Sequence, residues 1–390
     1  MNINKLQRKD VQKWIELHVN DDLNALSFKK SPFDDLNMPE LLQQIQGRKI
    51  AQKKFPLLNK NGILFPSKLN LEQTSSQHTA EYKANLIQGD SIMDLTGGFG
   101  IDCIAFANNF QQVYHIESNE ILQRIAQTNF EALGLKNIQS YQHDAIIFLK
   151  NFNQKIDVLY IDPSRRDERK KRVFLLENLS PNILEIMNLM QNKSNQILIK
   201  LSPLIDLKYL LNTLPAIEEI HVVALRNEVK EILVKIGQNS VDNPKIHAVN
   251  LASDHMDFTF YDSIENPFKI QTSELKKYLY QPNAAVQKSG GNDILAQNFQ
   301  LSKLHPNTQL YTSNELLDDY PGRIFEIEKP IKNPKKELRN LSIMAIHKNF
   351  PESLINLRKK YKFTTDGKNP ILFTNNQNRY LIQALKVKKL

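Results

Sequence analysis

A glycine-rich turn with acids on both sides is the feature of this sequence whose residue types most directly suggest chemistry. It follows the apolar run Ile92–Leu95. Glycine lets the backbone turn sharply and approach a ligand with no Cβ in the way, and the helix expected after the turn offers free N–H groups at its positive end. We therefore predict a nucleotide-type site lined by Asp94, Thr96, Gly97, Gly98, Gly100 and Asp102. In this site Asp94 would accept a hydrogen bond from a charged amino group of the ligand. The alternative is that the glycines serve only the geometry of the loop.

Two more acids follow the next apolar runs. Glu117 comes after Val113–Ile116, and Asp144 comes after Ile138–Tyr141. A carboxylate at the first position can accept from both ribose hydroxyls of an adenosine, and Asp144 could reach the adenine amino group. The alternatives are a solvent-facing charge for Glu117 and a helix N-cap for Asp144. Because ligands of open α/β sheets bind at the carboxyl ends of the strands, the acids together favour a nucleoside-type ligand.

The run Val158–Ile161 is followed by an acid-proline pair and two arginines. A nicotinamide dinucleotide would also suit a glycine loop with an acid after the second strand. However, the loop reads D-x-x-G-G-x-G and not G-x-G-x-x-G. Asp162 is our candidate for orienting the reacting atom, and Pro163 would fix the backbone beside it. Arg165 and Arg166 suit a phosphate, a carboxylate or stacking on a base. They are the first residues of Arg165–Arg172, in which six of eight residues are basic. The alternative interpretation of such a run is an exposed loop without a binding role.

Short apolar runs alternate with helical stretches from residue 91 to residue 236, and this alternation predicts a doubly wound parallel sheet. The fifth and sixth runs are Ile197–Leu201 and Ile220–Leu225. The next run, Glu231–Ile236, follows after a short connection, so we expect it to pair antiparallel to the sixth strand at the sheet edge. Residues 1–85 have helix-like apolar spacing and are expected to be helical.

The C-terminal third is expected to be a small α+β region. We predict a helix at Ser273–Tyr280, which Asn283–Lys288 continues or caps, and a helix at Pro351–Lys360. Further elements are expected at Arg323–Ile327 and Leu341–Ile346. A hairpin is expected from Ile371–Thr374 and Arg379–Val387. The predicted domains are residues 1–85 (helical), 86–255 (α/β core), 256–318 (small α+β segment) and 319–390 (basic domain).

The composition excludes several classes of protein. Hydrophobic residues make up 41% and charged residues 24%, as in ordinary globular proteins, and no apolar run approaches the roughly 18 residues of a membrane span. The N-terminus lacks a signal pattern, so we expect a cytoplasmic protein. The single cysteine, Cys103, excludes an internal disulfide and a cysteine zinc cluster. We expect it to be a packing residue, and we expect no metal.

The net charge of +9 is concentrated at one end. Residues 331–390 contain 14 Lys and Arg against 3 Asp and Glu, whereas the other 330 residues contain 37 against 39. This asymmetry suggests a polyanionic partner such as nucleic acid, or else a solvated basic surface. Candidate phosphate contacts are Lys335, Lys336, Arg339, Arg358, Lys359 and Lys360.

These motifs together resemble the class I S-adenosylmethionine-dependent methyltransferases, in the branch with the loop D-x-x-x-G-x-G and an acid-proline pair after the fourth strand. Over nearly its whole length the chain resembles more closely a bacterial family of methyltransferases. That family has a helical N-terminal segment, a methyltransferase core, a ferredoxin-like segment and a C-terminal THUMP-like domain. The motifs that carry the closer resemblance are Glu72–Ser76, Thr79–Lys83, Asp94–Asp102, Ile161–Arg166, Tyr280–Ala285, Pro321–Arg323 and Asn349–Pro351.

The resemblance implies a Rossmann-like seven-stranded core and S-adenosylmethionine as cofactor. Because THUMP domains bind RNA in tRNA-modifying enzymes, it also implies an RNA substrate, with tRNA as the leading candidate. In related enzymes the segment equivalent to Glu72–Lys83 covers the cofactor or the substrate. This points to Lys83 as a substrate-binding residue together with Arg165 and Arg166, although Ser75 and Ser76 suit a helix cap equally well.

The sequence departs from the family pattern at one position and leaves alternatives open. Enzymes that methylate exocyclic amines commonly follow acid-Pro-Pro with an aromatic that stacks on the base, whereas this chain has Ser164 and Arg165. Methylation at pyrimidine C5 normally uses a cysteine nucleophile, a role that the position of Cys103 disfavours. A non-catalytic RNA-binding protein with a vestigial cofactor site remains an alternative, as does a methyltransferase for protein or a small molecule.

Overall fold

The computed structural model describes residues 1–165, 175–261, 270–376 and 379–389. Its helices are α1 (Ile3–Leu6), α2 (Lys9–Leu17), α3 (Leu23–Ser27), α4 (Met38–Lys54), α5 (Lys68–Gln73), α6 (Gln77–Leu86), α7 (Ile101–Phe106), α8 (Glu120–Ala132), α9 (Ala145–Asn151), α10 (Ile183–Lys193), α11 (Leu207–Thr213), α12 (Ala284–Ser289), α13 (Asn292–Asn298), α14 (Pro334–Glu337) and α15 (Leu354–Tyr361). Short 3-10 turns lie at Pro56–Leu58 and Leu176–Asn178.

The strands are β1 (Ser91–Asp94), β2 (Gln112–Glu117), β3 (Ile138–Gln142), β4 (Ile156–Ile161), β5 (Ser164–Arg165), β6 (Leu179–Ser180), β7 (Ser194–Leu201), β8 (Ile217–Leu225), β9 (Glu228–Ile236), β10 (Lys245–Leu251), β11 (Phe258–Tyr261), β12 (Tyr278–Pro282), β13 (Ser302–Lys303), β14 (Tyr311–Ser313), β15 (Gly322–Pro330), β16 (Ser342–Lys348), β17 (Thr364–Asn376) and β18 (Arg379–Lys389). The predicted order of strands and helices from residue 91 to residue 236 is confirmed.

A nine-stranded sheet has the order β11-β10-β8-β9-β7-β4-β1-β2-β3. The first four strands of the chain are parallel and in close register, with Met93 opposite both Tyr114 and Leu159. The carboxyl ends of these strands therefore lie along one edge of the sheet. Asp94 and Glu117 are the last residues of β1 and β2, and Asp162 follows β4. The predicted doubly wound parallel sheet is confirmed, and the sheet extends beyond the seven predicted strands because β10 and β11 add to it.

The predicted edge position of the run Glu231–Ile236 is wrong. This run belongs to β9, which lies inside the sheet between β8 and β7 and pairs antiparallel with β7, with Lys235 opposite Leu198. The connection from β8 is a two-residue turn at Arg226 and Asn227, both with positive φ (51° and 65°). Such a turn matches the twist of a tight hairpin, so β9 folds straight back along β8.

The core of this sheet is buried on both faces. Ile92, Met93, Val158 and Leu159 are all fully buried, as expected for parallel strands that helices cover on each side. Continuous apolar runs, and not alternating ones, are therefore the sequence signature of β1 and β4. Among the described residues, no helix combines the length and apolar character that crossing a membrane requires.

The chain divides into two compact units. The first contains Met1–Glu218 and Ile232–Asp242, and the second contains Glu219–Glu231 and Asn243–Leu390. The N-terminal helices thus belong to the same unit as β1 to β4. The three domain boundaries expected from the sequence remain predictions.

The second unit contains a seven-stranded sheet of order β13-β14-β12-β15-β18-β17-β16. In it β12 pairs with β15, with Leu279 opposite Phe325, so the boundary predicted at residue 318 separates strands of one sheet. The predicted helix at Ser273–Tyr280 is wrong, because Tyr278-Leu-Tyr280 forms most of β12. Aromatic residues favour a strand, and β12 pairs with β14 and β15. Asn283–Lys288 does not continue or cap such a helix, since it lies largely in a separate helix, α12, after β12. The predictions at Pro351–Lys360, Arg323–Ile327, Leu341–Ile346 and the C-terminal hairpin are confirmed.

Candidate active site

The glycine turn between β1 and α7 has a backbone that requires glycine. Gly98 and Gly100 have positive φ values of 54° and 84°, which side chains disfavour. At Gly97 the constraint is space, since a Cβ there would lie 2.3 Å from the His115 ring. The Gly97 amide also donates to the carbonyl of Ile116 (2.8 Å). The turn therefore lies directly against β2.

Asp94 ends β1 and is 2% exposed. Its Oδ1 accepts from the Thr96 amide (2.8 Å) and from the Thr96 hydroxyl (3.2 Å), and Cys103 Sγ lies 3.5 Å from Oδ2. Burial, with a smaller contribution from the negative charge of Asp102, raises the pKa of Asp94 to about 8. A buried carboxyl of this kind fits a cationic ligand group, whose charge would favour the ionised form.

Asp102 is almost buried and is surrounded by donors. It accepts from the hydroxyls of Ser75 (3.1 Å) and Tyr160 (2.9 Å), and its Oδ1 lies 3.1 Å from Lys83 Nζ. Burial opposes ionisation, but the Lys83 and Lys200 ammoniums outweigh it and lower the pKa of Asp102. Asp102 therefore stays ionised, and Asp94 is the member of the pair with the raised pKa. The predicted role of Asp102 at the cofactor remains a prediction.

Lys83, predicted to bind the substrate, is held inside the protein by two polar partners. Its side chain is completely buried, and Nζ donates to Ser75 Oγ (2.9 Å) as well as pairing with Asp102. These contacts give the lysine a structural role, and its contact with a substrate remains a prediction. We interpret it as the residue that fixes Asp102 and attaches α6 to the glycine turn.

Glu117, at the end of β2, is hydrogen-bonded to the glycine turn. Its Oε2 accepts from the Gly98 amide (2.8 Å) and its Oε1 from the Asn119 amide (2.7 Å). The carboxylate is thereby fixed beside the turn, at the sheet edge where a ribose was predicted. Its contact with ribose hydroxyls remains a prediction.

Asp144 is the N-cap of α9. Its Oδ1 accepts from the amides of Ile146 and Ile147, both at 2.9 Å. This is the alternative that the sequence left open, since an N-cap satisfies amides that have no partner within the helix. Its predicted contact with an adenine amino group remains a prediction.

Asp162 follows β4 and is tied to the glycine turn through its backbone. Its amide donates to Thr96 Oγ1 (2.7 Å), and this same hydroxyl donates to Asp94. Its carboxylate pairs through Oδ2 with Lys200 Nζ. One threonine hydroxyl thus connects the acid of β1 with the residue after β4. Pro163 is buried, as expected for a residue that fixes this backbone.

Lys200 is the site residue that the sequence argument missed. It lies near the carboxyl end of β7 and pairs with Asp162. The available signal was a single lysine within the otherwise apolar run of a buried parallel strand, Ile197–Leu201.

The two arginines after Pro163 are only partly described. Arg165 belongs to β5, which pairs antiparallel with β6. Arg166 and the rest of the basic run to Arg172 lie outside the described residues.

The predicted phosphate contacts lie at two helix ends in the second unit. Lys335, Arg339, Arg358 and Lys359 are exposed. The Asn340 amide donates to the carbonyl of Lys362 (2.8 Å), so the segment after α14 lies beside the end of α15. Lys336 is also exposed, and Lys360 pairs with Glu352 (2.6 Å).

Among the described residues, one group has potential metal ligands close together. Ligand atoms of Glu219, His221 and His247 lie within 4.8 Å of one another. The sequence did not reveal this group, because the pairing of β8 with β10 brings His247 opposite His221. The two imidazoles stack nearly parallel, with centroids 4.3 Å apart, and His221 Nε2 lies 3.1 Å from Glu219. Parallel rings do not direct their nitrogen lone pairs to one point, and the expectation of no metal remains a prediction.

Two family models match parts of the chain. Residues 89–238 match the RNA cap guanine-N2 methyltransferase family, and residues 278–321 match a ferredoxin-like domain. These ranges agree with the order of a methyltransferase core followed by a ferredoxin-like segment.

Curated relatives are similar over shorter stretches. A tRNA (guanine(26)-N(2))-dimethyltransferase of Methanobrevibacter smithii is 37% identical over 76 residues, which cover 19% of this chain and 20% of that protein. An uncharacterized RNA methyltransferase of Mycoplasma mobile is 27% identical over 184 residues, 42% of this chain and 50% of that protein. The chain thus spans between a fifth and a half of these relatives.

A solved structure is similar over the full length. The crystal structure of an inferred methyltransferase from Porphyromonas gingivalis W83 is 30% identical, with a TM-score of 0.84, and the match covers 99% of this chain and 98% of that one. With the sheet and its strand-end acids, these similarities define the class as S-adenosylmethionine-dependent methyltransferases. Within that class the chain belongs to the family of the P. gingivalis protein.

Proposed function

We propose that this protein methylates RNA with S-adenosylmethionine as the methyl donor, and that its substrate is tRNA. The observation that carries the catalytic part is the Thr96 hydroxyl, which joins Asp94 of the glycine turn to the backbone of Asp162. This link supports assigning the methyl donor and the acceptor to neighbouring positions. Such alignment is the main requirement of an in-line transfer.

The described residues fit this cofactor. S-adenosylmethionine supplies a methyl group on a positively charged sulfur when it is bound. We assign its amino group to Asp94, its ribose hydroxyls to Glu117 and its adenine amino group to Asp144. Gly97, Gly98 and Gly100 allow the backbone to approach it. The buried carboxyl of Asp94, with its raised pKa, supports a cation at this point.

The RNA part of the proposal rests on the relatives and on the charge distribution. The matched family and the M. smithii relative are both named for transfer to guanine N2, so this amine is our candidate acceptor atom. Asp162 would orient it. The aromatic that commonly stacks on the target base is absent after Pro163, where the chain has Ser164 and Arg165.

The basic C-terminal residues would hold the RNA by its phosphates. Lys335, Arg339, Arg358 and Lys359 are exposed on two adjoining helix ends of the region predicted to be THUMP-like. Contacts of this kind supply affinity and position but do not read sequence. A tRNA substrate would place the protein in the cytoplasm.

The test is transfer of radioactive methyl from S-adenosylmethionine to tRNA isolated from cells that lack the gene. We expect incorporation that nuclease removes, and a methylated nucleoside identified by mass spectrometry. If S-adenosylhomocysteine binds but no RNA is methylated, the acceptor is a protein or small molecule. If the cofactor product does not bind, the site is vestigial.

A further inference from the structure

Lys200 and Asp162 meet because their strands are neighbours. β4 and β7 are parallel, with Ile161 opposite Ile199, so the residues that follow these two positions lie at the same sheet edge. Lys200 Nζ contacts Asp162 Oδ2. The lysine side chain is 12% exposed and the aspartate side chain 35% exposed. The protein therefore encloses most of the lysine side chain, whereas the carboxylate remains partly accessible.

Lys200 is a second lysine with little exposure in this cluster, and its charge offsets those of Asp162 and Asp102. Lys83 already pairs with Asp102 in the same cluster. Removing an ammonium from water is costly unless specific partners hold it, and a strand position of this kind ordinarily carries an apolar residue. Lys200 instead presents a donor beside the carboxylate that we assign to the acceptor.

We infer that Lys200 and Asp162 together recognise the Watson–Crick edge of a guanine, an inference that rests on the proposed function. The pair offers one donor, Nζ, followed by two acceptors, Oδ2 and Oδ1. Guanine offers the complementary order: the acceptor O6, the donor N1–H and the donor N2–H. Enzymes that act on an extruded base read this edge by hydrogen bonds.

The other bases fit this order less well. Uracil has acceptors on both sides of N3–H, so one oxygen would face Oδ1. Cytosine has two adjacent acceptors, and one of them would face the carboxylate. Adenine has a single acceptor beside its amino group, and its C2–H would leave a carboxylate oxygen without a donor. Guanine alone satisfies all three atoms, and the arrangement brings its N2 to Oδ1.

The test compares Lys200→Met and Lys200→Arg with a matched control, Lys235→Met. Lys235 lies on β9 beside β7, is similarly buried (17% exposed) and pairs with Glu218 at 3.7 Å. We measure kcat and KM for tRNA from cells lacking the gene, and the Kd for S-adenosylhomocysteine by calorimetry. Asp162→Asn is measured in parallel, so that the pair is tested from both sides even if one lysine variant folds poorly.

We expect Lys200→Met to lower kcat/KM for tRNA by about 100-fold, because a site built to hydrogen-bond loses discrimination and alignment when one group is removed. The Kd for S-adenosylhomocysteine should stay within about threefold, since the lysine contacts the acceptor and not the cofactor. Lys200→Arg should restore most of the loss by keeping the donor, and Lys235→Met should change little. The methylated nucleoside should be a guanosine.

Two results would overturn the inference while leaving the proposed function intact: unchanged kinetics in Lys200→Met, or a parallel loss of cofactor affinity. A methylated nucleoside other than guanosine would overturn the inference together with guanine N2 as the candidate acceptor, but would leave methyl transfer to tRNA intact. If the wild-type protein transfers no methyl to RNA, the proposed function itself fails and the inference fails with it.

Discussion

Two charged regions of the molecule differ in how far their side chains are buried and paired. One is the carboxyl edge of the sheet in the first unit, and the other is the pair of basic helix ends in the second unit. At the sheet edge Asp94, Asp102 and Asp162 each have identified partners, and Lys83 is completely buried. At the helix ends, Lys335 and Arg358 are exposed to solvent. Groups that must align a reaction are fixed in advance by the protein, whereas groups that attract a polyanion need only be present and accessible. The two regions should therefore respond very differently to substitution.

The largest effect is expected from Gly97→Ala. A Cβ at this position would lie 2.3 Å from the His115 ring, so the turn or the ring must move. We expect S-adenosylhomocysteine binding to weaken by about 100-fold or more, since overpacking in a tight core forces backbone shifts. Calorimetry gives the Kd. Gly134→Ala is the control, because Gly134 has a positive φ but a Cβ at that position would have no neighbouring atom within 4 Å; equal losses in both variants would refute the steric explanation.

Glu117→Gln should have the next largest effect. The change keeps the size of the side chain but removes the charge that accepts from Gly98 and that we assign to the ribose. We expect the Kd for S-adenosylhomocysteine to rise about 10- to 30-fold, the value of one or two charge-assisted hydrogen bonds. Glu120→Gln, at a surface acid that pairs with Arg124 at 3.8 Å, should leave the Kd unchanged. A wild-type Kd in the Glu117 variant would remove it from the cofactor site.

Cofactor affinity should depend on pH through Asp94. Because its pKa is raised to about 8, a cationic amino group must displace a proton at lower pH. We expect affinity for S-adenosylhomocysteine to increase by up to about tenfold per pH unit from pH 6 towards pH 8. Calorimetry across this range measures the slope. Asp94→Asn should flatten it, and an equally steep slope in that variant would show that another group titrates.

The same pKa shift has a consequence for stability. The folded protein holds the Asp94 proton more tightly than the unfolded chain does, so its contribution is fully present below about pH 4. It is lost as the pH rises towards 8. Asp102 acts in the opposite direction, because its pKa is lowered in the folded protein. Its contribution to stability is present above the ordinary pKa of an aspartate and is lost as the pH falls through the lowered pKa. Urea unfolding of Asp94→Asn should therefore lose less stability between pH 5 and pH 8 than the wild type does.

The smallest effects are expected in the basic region. Replacing Lys335, Arg339, Arg358 or Lys359 singly by Gln should weaken tRNA binding by about threefold each and reduce the salt dependence. Lys13→Gln, an exposed lysine of α2 with the same charge change, is the control. Filter binding at two salt concentrations gives both quantities. A loss of 100-fold from one of these residues would instead identify a specific contact and weaken the contrast between the two regions.

The sequence predicted some residues of the sheet edge and missed the environment of others. The glycine turn and the acids at Asp94, Glu117 and Asp162 were predictable, because a parallel sheet places each acid at a fixed position relative to an apolar run. The burial of Lys83 was not, since a lysine in a helix gives no sign of which face it occupies. Lys200 was missed because its partner lies 38 residues away along the chain and only the pairing of β4 with β7 brings them together.

Two errors in the fold have local causes. The short hairpin from β8 to β9 was predicted, but the interior position of β9 depends on its pairing with β7 on its other side. A helix was expected at Ser273–Tyr280, whereas residues 278–280 pair with β14 and β15 as a strand. In both cases contacts between strands outweighed the local pattern.

The most direct test of the proposed function is methyl transfer to tRNA by the wild-type protein and by Asp162→Asn at saturating S-adenosylmethionine. We expect the wild type to form a methylated guanosine and the variant to be slower by about 100-fold or more, the scale expected when a group that orients the reacting atom is lost, with nearly unchanged cofactor affinity. Equal rates in the two proteins would show that the acid after β4 does not serve the acceptor. The absence of methyl transfer by the wild type would contradict the assignment of tRNA as substrate.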